Sequence, residues 1–121
     1  MGKRLMVVDD SRVVGLQIRK LLEGTEFELA CFCPDGETAI AQYGNVQPDV
    51  VTVDLIMPGI DGLETAGTIL EEHPDARVVL VSSLACDGMV EEAASIGAKG
   101  FLAKPFEQQE LVSALYQALA G

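Results

Sequence analysis

Residues 50–62 read Val-Val-Thr-Val-Asp-Leu-Ile-Met-Pro-Gly-Ile-Asp-Gly. Four β-favouring residues without polar alternation run into an aspartate, and a Pro-Gly break precedes a helix-period segment. Such a run reads as a strand covered on both faces, the setting of a central strand in a parallel sheet. Residues 78–81, Val-Val-Leu-Val, repeat the pattern. Working outward, the unit of short apolar run, break and helical segment recurs five times, which predicts an α/β fold built on a parallel sheet. Strands are expected over residues 5–8, 27–32, 50–53, 77–81 and 100–103. The first helix follows Ser11, a good N-cap, places Val14, Ile18, Leu21 and Leu22 on a core stripe and ends at Gly24. The others are expected over residues 37–43, ending near Gly44, 63–72, stopped by Pro74, 89–96, ending at Gly97, and 107–119, with Leu111, Leu115 and Leu119 at four-residue spacing.

No linker or repeat interrupts the series, and 121 residues suit one domain over 1–121. Apolar residues make up 49% and charged residues 22%, which excludes disordered and collagen-like classes. The net charge of −11 argues against direct binding to nucleic acid or anionic membranes. It is unevenly spread: residues 1–20 hold five Lys or Arg against Asp9 and Asp10, whereas the remainder holds three cations against seventeen carboxylates. Cys31, Cys33 and Cys86 are odd in number, and His73 is the sole histidine, so neither a disulfide framework nor a zinc set is indicated. All three read as packing thiols in a reducing compartment. With no signal peptide and no apolar run of membrane-spanning length, a cytoplasmic location is expected.

In open parallel sheets ligands bind beyond the carboxyl ends of the strands. There the first strand delivers Asp9 and Asp10, the third Asp54, the fourth Ser82 and Ser83, and the fifth Lys104. The second ends in Phe32-Cys33-Pro34, as a marginal strand does. Any one of these aspartates alone reads as a turn or cap residue, but all of them with Lys104 at one edge point to a site. If the first and third strands are neighbours, Asp9, Asp10 and Asp54 converge, and like charges about 4 Å apart repel by about 4 kcal/mol at an effective dielectric of 20. Oxygen donors without His or Cys select Mg²⁺, with Mn²⁺ or Ca²⁺ as substitutes. A carboxylate in that setting, with a lysine and a hydroxyl nearby, suits attack on a phosphoryl group to form an aspartyl phosphate.

On Val7-Val8-Asp9-Asp10-Ser11, the residues 54–62 quoted above, Ser82 and Lys104-Pro105-Phe106, the chain resembles the receiver domain of two-component response regulators over essentially its whole length. The resemblance implies a doubly wound, flavodoxin-like sheet of five parallel strands in order 2-1-3-4-5. It implies that Asp54 accepts a phosphoryl group from a phosphohistidine of a sensor kinase or phosphotransfer protein. Asp10 and Asp54 would hold Mg²⁺ directly, Asp9 through water, and the Ile56 carbonyl would be a further ligand. Lys104 would pair with phosphoryl oxygens, Ser82, in place of the commoner threonine, would bond one of them, and Phe101 would be the switch aromatic. A cis Lys104-Pro105 bond is also implied.

Further expectations concern partners. Apolar Ile56 and Leu84 near the site orient no attacking water, so self-dephosphorylation is expected to be slow. Arg12 and Arg19, seven apart on the first helix, would flank the donor-docking surface. Met89, Val90 and Tyr116 are candidates for an output face formed by the fourth helix, fifth strand and fifth helix, through which a downstream protein would bind. Residues 105–121 and 89–98 contain no Lys or Arg, so a charge-paired dimer is not expected and the unphosphorylated protein is expected to be a monomer. With Lys104 only 17 residues from the end, no effector domain is expected after it. Rival readings are a constitutive, non-phosphorylated interaction module, a Mg²⁺-dependent phosphatase, and an FMN carrier, the last opposed by Asp9 and Asp10 where an anion loop is needed and by the lack of Trp.

Overall fold

A computed structural model of the chain describes residues 2–83 and 87–120, without side chains for residues 87–90. The strands are β1 (Lys3–Val8), β2 (Phe27–Cys33), β3 (Val50–Asp54), β4 (Val78–Ser82) and β5 (Gly100–Ala103). Between and after them come α1 (Arg12–Leu21), α2 (Gly36–Val46), α3 (Gly62–Glu72), α4 (Asp87–Ser95) and α5 (Gln108–Ala120). All four strand pairings are parallel, in the order β2-β1-β3-β4-β5. This is the doubly wound, five-stranded, flavodoxin-like sheet that the sequence indicates.

Strand alternation divides the core in two. Leu5 and Val7 of β1 share a cluster with Ile18 of α1, with Leu22 that caps it, and with Leu111 and Leu115 of α5. Met6 and Val8 point the other way, into a cluster with Ala39 of α2, Ile69 of α3 and Ala93 of α4. Every residue of β3 and β4 is buried, which is why their sequences lack the polar alternation of a one-sided sheet.

The expected boundaries shift where backbone pairing outruns side-chain burial. Exposed Lys3 and Arg4 extend β1 because they pair with Phe27 and Glu28. α2 passes through Gly44, where the sequence places its end, and stops at Val46, capped by Gln47 in the left-handed region at φ 48°. Gly44 keeps helical geometry, so it weakens the helix without ending it. Ser11 caps α1 as expected, its hydroxyl accepting from the Val14 amide at 3.4 Å. The Lys104-Pro105 peptide is cis.

The Cys31 and Cys33 sulfurs lie 3.8 Å apart. Burial first, and the neighbouring Cys31 second, push the Cys33 thiol up to about 12, so it stays protonated and packs as a small apolar group. Cys86, Leu84 and the side chains of Met89 and Val90 lie outside the described residues. Tyr116 corrects an expectation. Its ring packs edge-on against Phe27, centroids 5.1 Å apart, and its hydroxyl donates to Glu26. β2 is at the opposite sheet edge from β5, so Tyr116 points toward α1 and away from the α4–β5–α5 face.

Gly62 opens α3 directly against the end of β3: a Cβ there would lie 2.1 Å from the Asp54 carbonyl oxygen and 2.6 Å from the Leu55 Cα. Gly67, in the middle of the same helix, has nothing within 4 Å of a built Cβ. Gly62→Ala should therefore cost about 1–3 kcal/mol from overpacking, seen as a lower urea midpoint. Gly67→Ala should raise stability by up to about 1 kcal/mol.

Candidate functional site

Because β1, β3, β4 and β5 run in one direction, their carboxyl ends share one edge of the sheet. β1 and β3 are neighbours, with Val8 paired to Val53, so the residues after them, Asp9 and Asp54, are brought side by side. One carboxylate oxygen from each of Asp9, Asp10 and Asp54 falls within 4.8 Å of the others. Asp9 and Asp54 are 3% and 8% exposed, whereas Asp10 reaches solvent.

Lys104 arrives from the end of β5 and places its ammonium between two of them, donating to Asp9 Oδ2 at 2.8 Å and to Asp54 Oδ2 at 3.0 Å. The other Asp9 oxygen accepts from the Ser11 amide at 2.9 Å, and the other Asp54 oxygen from the Ile56 amide at 3.2 Å. Local turns thus orient the carboxylates, and the long-range contact with Lys104 joins them.

Burial raises the pKa of Asp54, and the charge of Asp9 adds to this; the Lys104 and Ile56 hydrogen bonds pull it back only in part. For Lys104, burial disfavours the ammonium, but Asp9 and Asp54 together outweigh it and leave the pKa raised. Lys104 is therefore held charged, while Asp54 is a carboxylate under electrostatic pressure. One ammonium cannot neutralise three carboxylates, and hard oxygen donors so arranged fit a divalent cation such as Mg²⁺.

Ser82 is fully buried at the end of β4, paired with Ala103, one residue before Lys104. Phe101 pairs with Leu80 and so shares a sheet face with Ser82; it is half-buried against the cluster of α2, α3 and α4. Ile56 is 58% exposed beside the site. A cavity of about 530 Å³ lies between α1, through Val14, Gln17 and Lys20, and Ser83, Lys104 and Phe106. It opens against the same lysine that holds Asp9 and Asp54.

The receiver-domain family model matches residues 5–116. This chain belongs to the response regulator receiver domain family. Among receiver proteins, the chemotaxis protein CheY of Listeria monocytogenes is 36% identical over 115 residues, which cover 95% of this chain and 97% of that protein. CheY of Thermotoga maritima is 33% identical over 95% of this chain and 96% of its own length. Among solved structures, the response regulator domain of Thermotoga maritima CheB superposes with TM-score 0.90 at 29% identity, covering 100% of this chain and 98% of that one. CheY in a CheX-CheY-BeF3-Mg²⁺ complex from Borrelia burgdorferi gives TM-score 0.89 at 30% identity, over 93% and 86% of the two chains. Receiver domains are signalling domains, and they bind Mg²⁺ at an acidic pocket; here Asp9, Asp10 and Asp54 form such a pocket.

Two features of this receiver were not assigned roles from sequence. Asp61 caps α3 by accepting from the Glu64 amide at 2.8 Å, and its carbonyl accepts from buried Thr65 at 2.8 Å. An Asp-Gly pair before an apolar helical run is a readable cap signal. The need for glycine at Gly62 is not readable, because the atoms that exclude a Cβ come from the end of β3. Arg12 and Arg19 do not line the cavity beside Lys104: on the helical period, 12, 16 and 19 form one stripe of α1 and 14, 17 and 21 the opposite one.

Neutralising one carboxylate should relieve the repulsion within the cluster. We expect Asp10→Asn to raise the melting temperature without divalent cation, by up to about 1 kcal/mol of stability. Millimolar Mg²⁺ should stabilise the wild-type protein clearly more than the variant, by the linkage of binding to folding. Thermal melts with and without Mg²⁺ check both.

Proposed function

We infer that this receiver switches an output surface by accepting a phosphoryl group on Asp54, from a phosphohistidine of a sensor kinase or phosphotransfer protein, in a Mg²⁺-dependent reaction. The observation that carries this reading is the Asp54 carboxylate itself: at the mouth of the sheet, with one oxygen on Lys104 and Asp9 and Asp10 alongside. The presence of BeF3 and Mg²⁺ with the similar Borrelia CheY supports it.

Asp10 and Asp54 would hold the metal directly, with Asp9 acting through water and the Ile56 carbonyl as a further ligand. Bound Mg²⁺ supplies the charge that lets an anionic phosphoryl group approach a cluster of carboxylates. An Asp54 oxygen attacks phosphorus, the new O–P bond forms as the P–N bond breaks, and the electron pair leaves on the imidazole nitrogen. Lys104 then exchanges its bond to Asp54 for one to a phosphoryl oxygen, and Ser82 donates to another. Withdrawal of Ser82 toward the phosphoryl group makes room on the sheet face that it shares with Phe101, and the ring turns inward. That movement alters the α4–β5–α5 face, where a downstream protein binds. The donor docks along the cavity between α1 and Lys104, on the stripe of Val14 and Gln17.

Intact mass after incubation with acetyl phosphate tests the acceptor. One phosphoryl group should be gained only with Mg²⁺, and Asp54→Asn should gain none; gain by the variant would remove Asp54 from the role. Ile56, exposed and apolar beside the site, offers a water nothing to bond. Ile56→Asn should therefore shorten the lifetime of the phosphoprotein, about two- to tenfold for a single oriented water, followed by phosphate release from the isolated protein. An unchanged or longer lifetime would count against control of decay by this side chain.

A further inference from the structure

The two sheet edges differ in a way that the phosphoacceptor site does not use. β5 has four residues, too short to recruit another strand. β2 has seven, Phe-Glu-Leu-Ala-Cys-Phe-Cys, with Glu28 its single charge and, among the described residues, no strand on its outer side. Natural edges are normally blunted by charge, by proline, by shortness or by a bulge; β2 carries Glu28 and a single skipped residue, Ala30. Here the ladder to β1 skips Ala30, and around that irregularity residues 29–32 are all half-buried. They line a groove of about 560 Å³ whose opposite wall is α1.

The α1 wall presents Arg12, Leu16 and Arg19 in a row. Leu16, between the two arginines, is 65% exposed. Both arginines are exposed, and neither forms an ion pair among the described residues. They are two of the eight cations in a chain of net charge −11. A second copy paired edge to edge through β2 would set these arginines against their own counterparts, which disfavours self-association.

We propose that the outer edge of β2 and the Arg12–Leu16–Arg19 stripe form a docking site for an extended acidic segment of a partner protein. The segment adds a strand to β2, with an apolar side chain against Leu16 and carboxylates on the two arginines. Along α1 the arginines are about 10 Å apart at 1.5 Å per residue. In a strand, alternate residues share a face at about 6.7 Å intervals. Two such steps, about 13 Å, exceed the arginine separation by about 3 Å, which the long Arg and Glu side chains can span; the recognised pattern is Glu-x-Val-x-Glu, with all three named side chains turned toward α1. This surface is independent of phosphorylation and stands or falls separately from the role of Asp54.

The test is a titration of the isotope-labelled protein with the peptide Thr-Glu-Thr-Val-Thr-Glu-Thr, followed by backbone amide shifts. Saturable shifts confined to residues 12–19 and 27–33 are expected, equally in Asp54→Asn. The double variant Arg12→Glu, Arg19→Glu should bind about tenfold more weakly, as should the wild type toward the peptide with Lys in place of Glu. If charge reversal perturbs the fold, seen as shifts outside α1 without peptide, Arg12→Gln with Arg19→Gln replaces it. No saturation at millimolar peptide, equal binding of the Lys peptide, or shifts centred on β5 and α5 would overturn the proposal. So would a β2-mediated dimer in sedimentation of the protein alone.

Discussion

The ammonium of Lys104, shared between Asp9 and Asp54, is the contact on which the upper edge of this molecule depends. It ties the end of β5 to the ends of β3 and β1, 50 and 95 residues away in sequence, through two hydrogen bonds. It also makes a tolerable arrangement of one that Coulomb repulsion alone would disperse. Two of the three carboxylates are buried, and removing the lysine would leave them without an opposite charge at hydrogen-bond distance. The residual negative charge fits the pocket to a hard cation, so the same imbalance that strains the site suits it to that ligand.

Beneath that edge the sheet is built to be rigid. β3 and β4 are buried on both faces, and Gly62 lets α3 begin in contact with the Asp54 carbonyl. The Asp54 carboxylate therefore projects from a backbone that is packed on every side, while Ile56 is open to solvent. The site thus sets a firmly held carboxylate beside an open, apolar side chain at position 56.

The layered fold and the polar edge were legible because both rest on local patterns. Valine-rich runs without alternation mark central strands, and a polar residue after each such run marks the edge that binds ligands. The convergence of Asp9, Asp10, Asp54 and Lys104 follows once the strand order is known. Side-chain direction on helices was less legible. Tyr116 fitted an output face by spacing, yet Phe27 and Glu26 draw it toward α1. The seven-residue interval of Arg12 and Arg19 shows that they share a stripe of α1, but not that this stripe borders the β2 groove rather than the cavity at Lys104. The end of α2 was misplaced at Gly44 because a glycine ends a helix only when its backbone leaves the helical region, and here Gln47 does so. The placement of Tyr116 comes from contacts with residues distant in sequence, the end of α2 from a local change of backbone.

The two stripes of α1 share no residue. Positions 14, 17 and 21 border the cavity at Lys104, and positions 12, 16 and 19 border β2. The exposed positions, Gln17 on one stripe and Arg12, Leu16 and Arg19 on the other, can thus vary without altering the opposite surface, while Val14, Ile18 and Leu21 keep the helix seated on the core. A single short helix is in this sense a modular part. A lineage that duplicates this gene can retune one flank and keep the other, acquiring a new connection on one side without cross-talk on the opposite one.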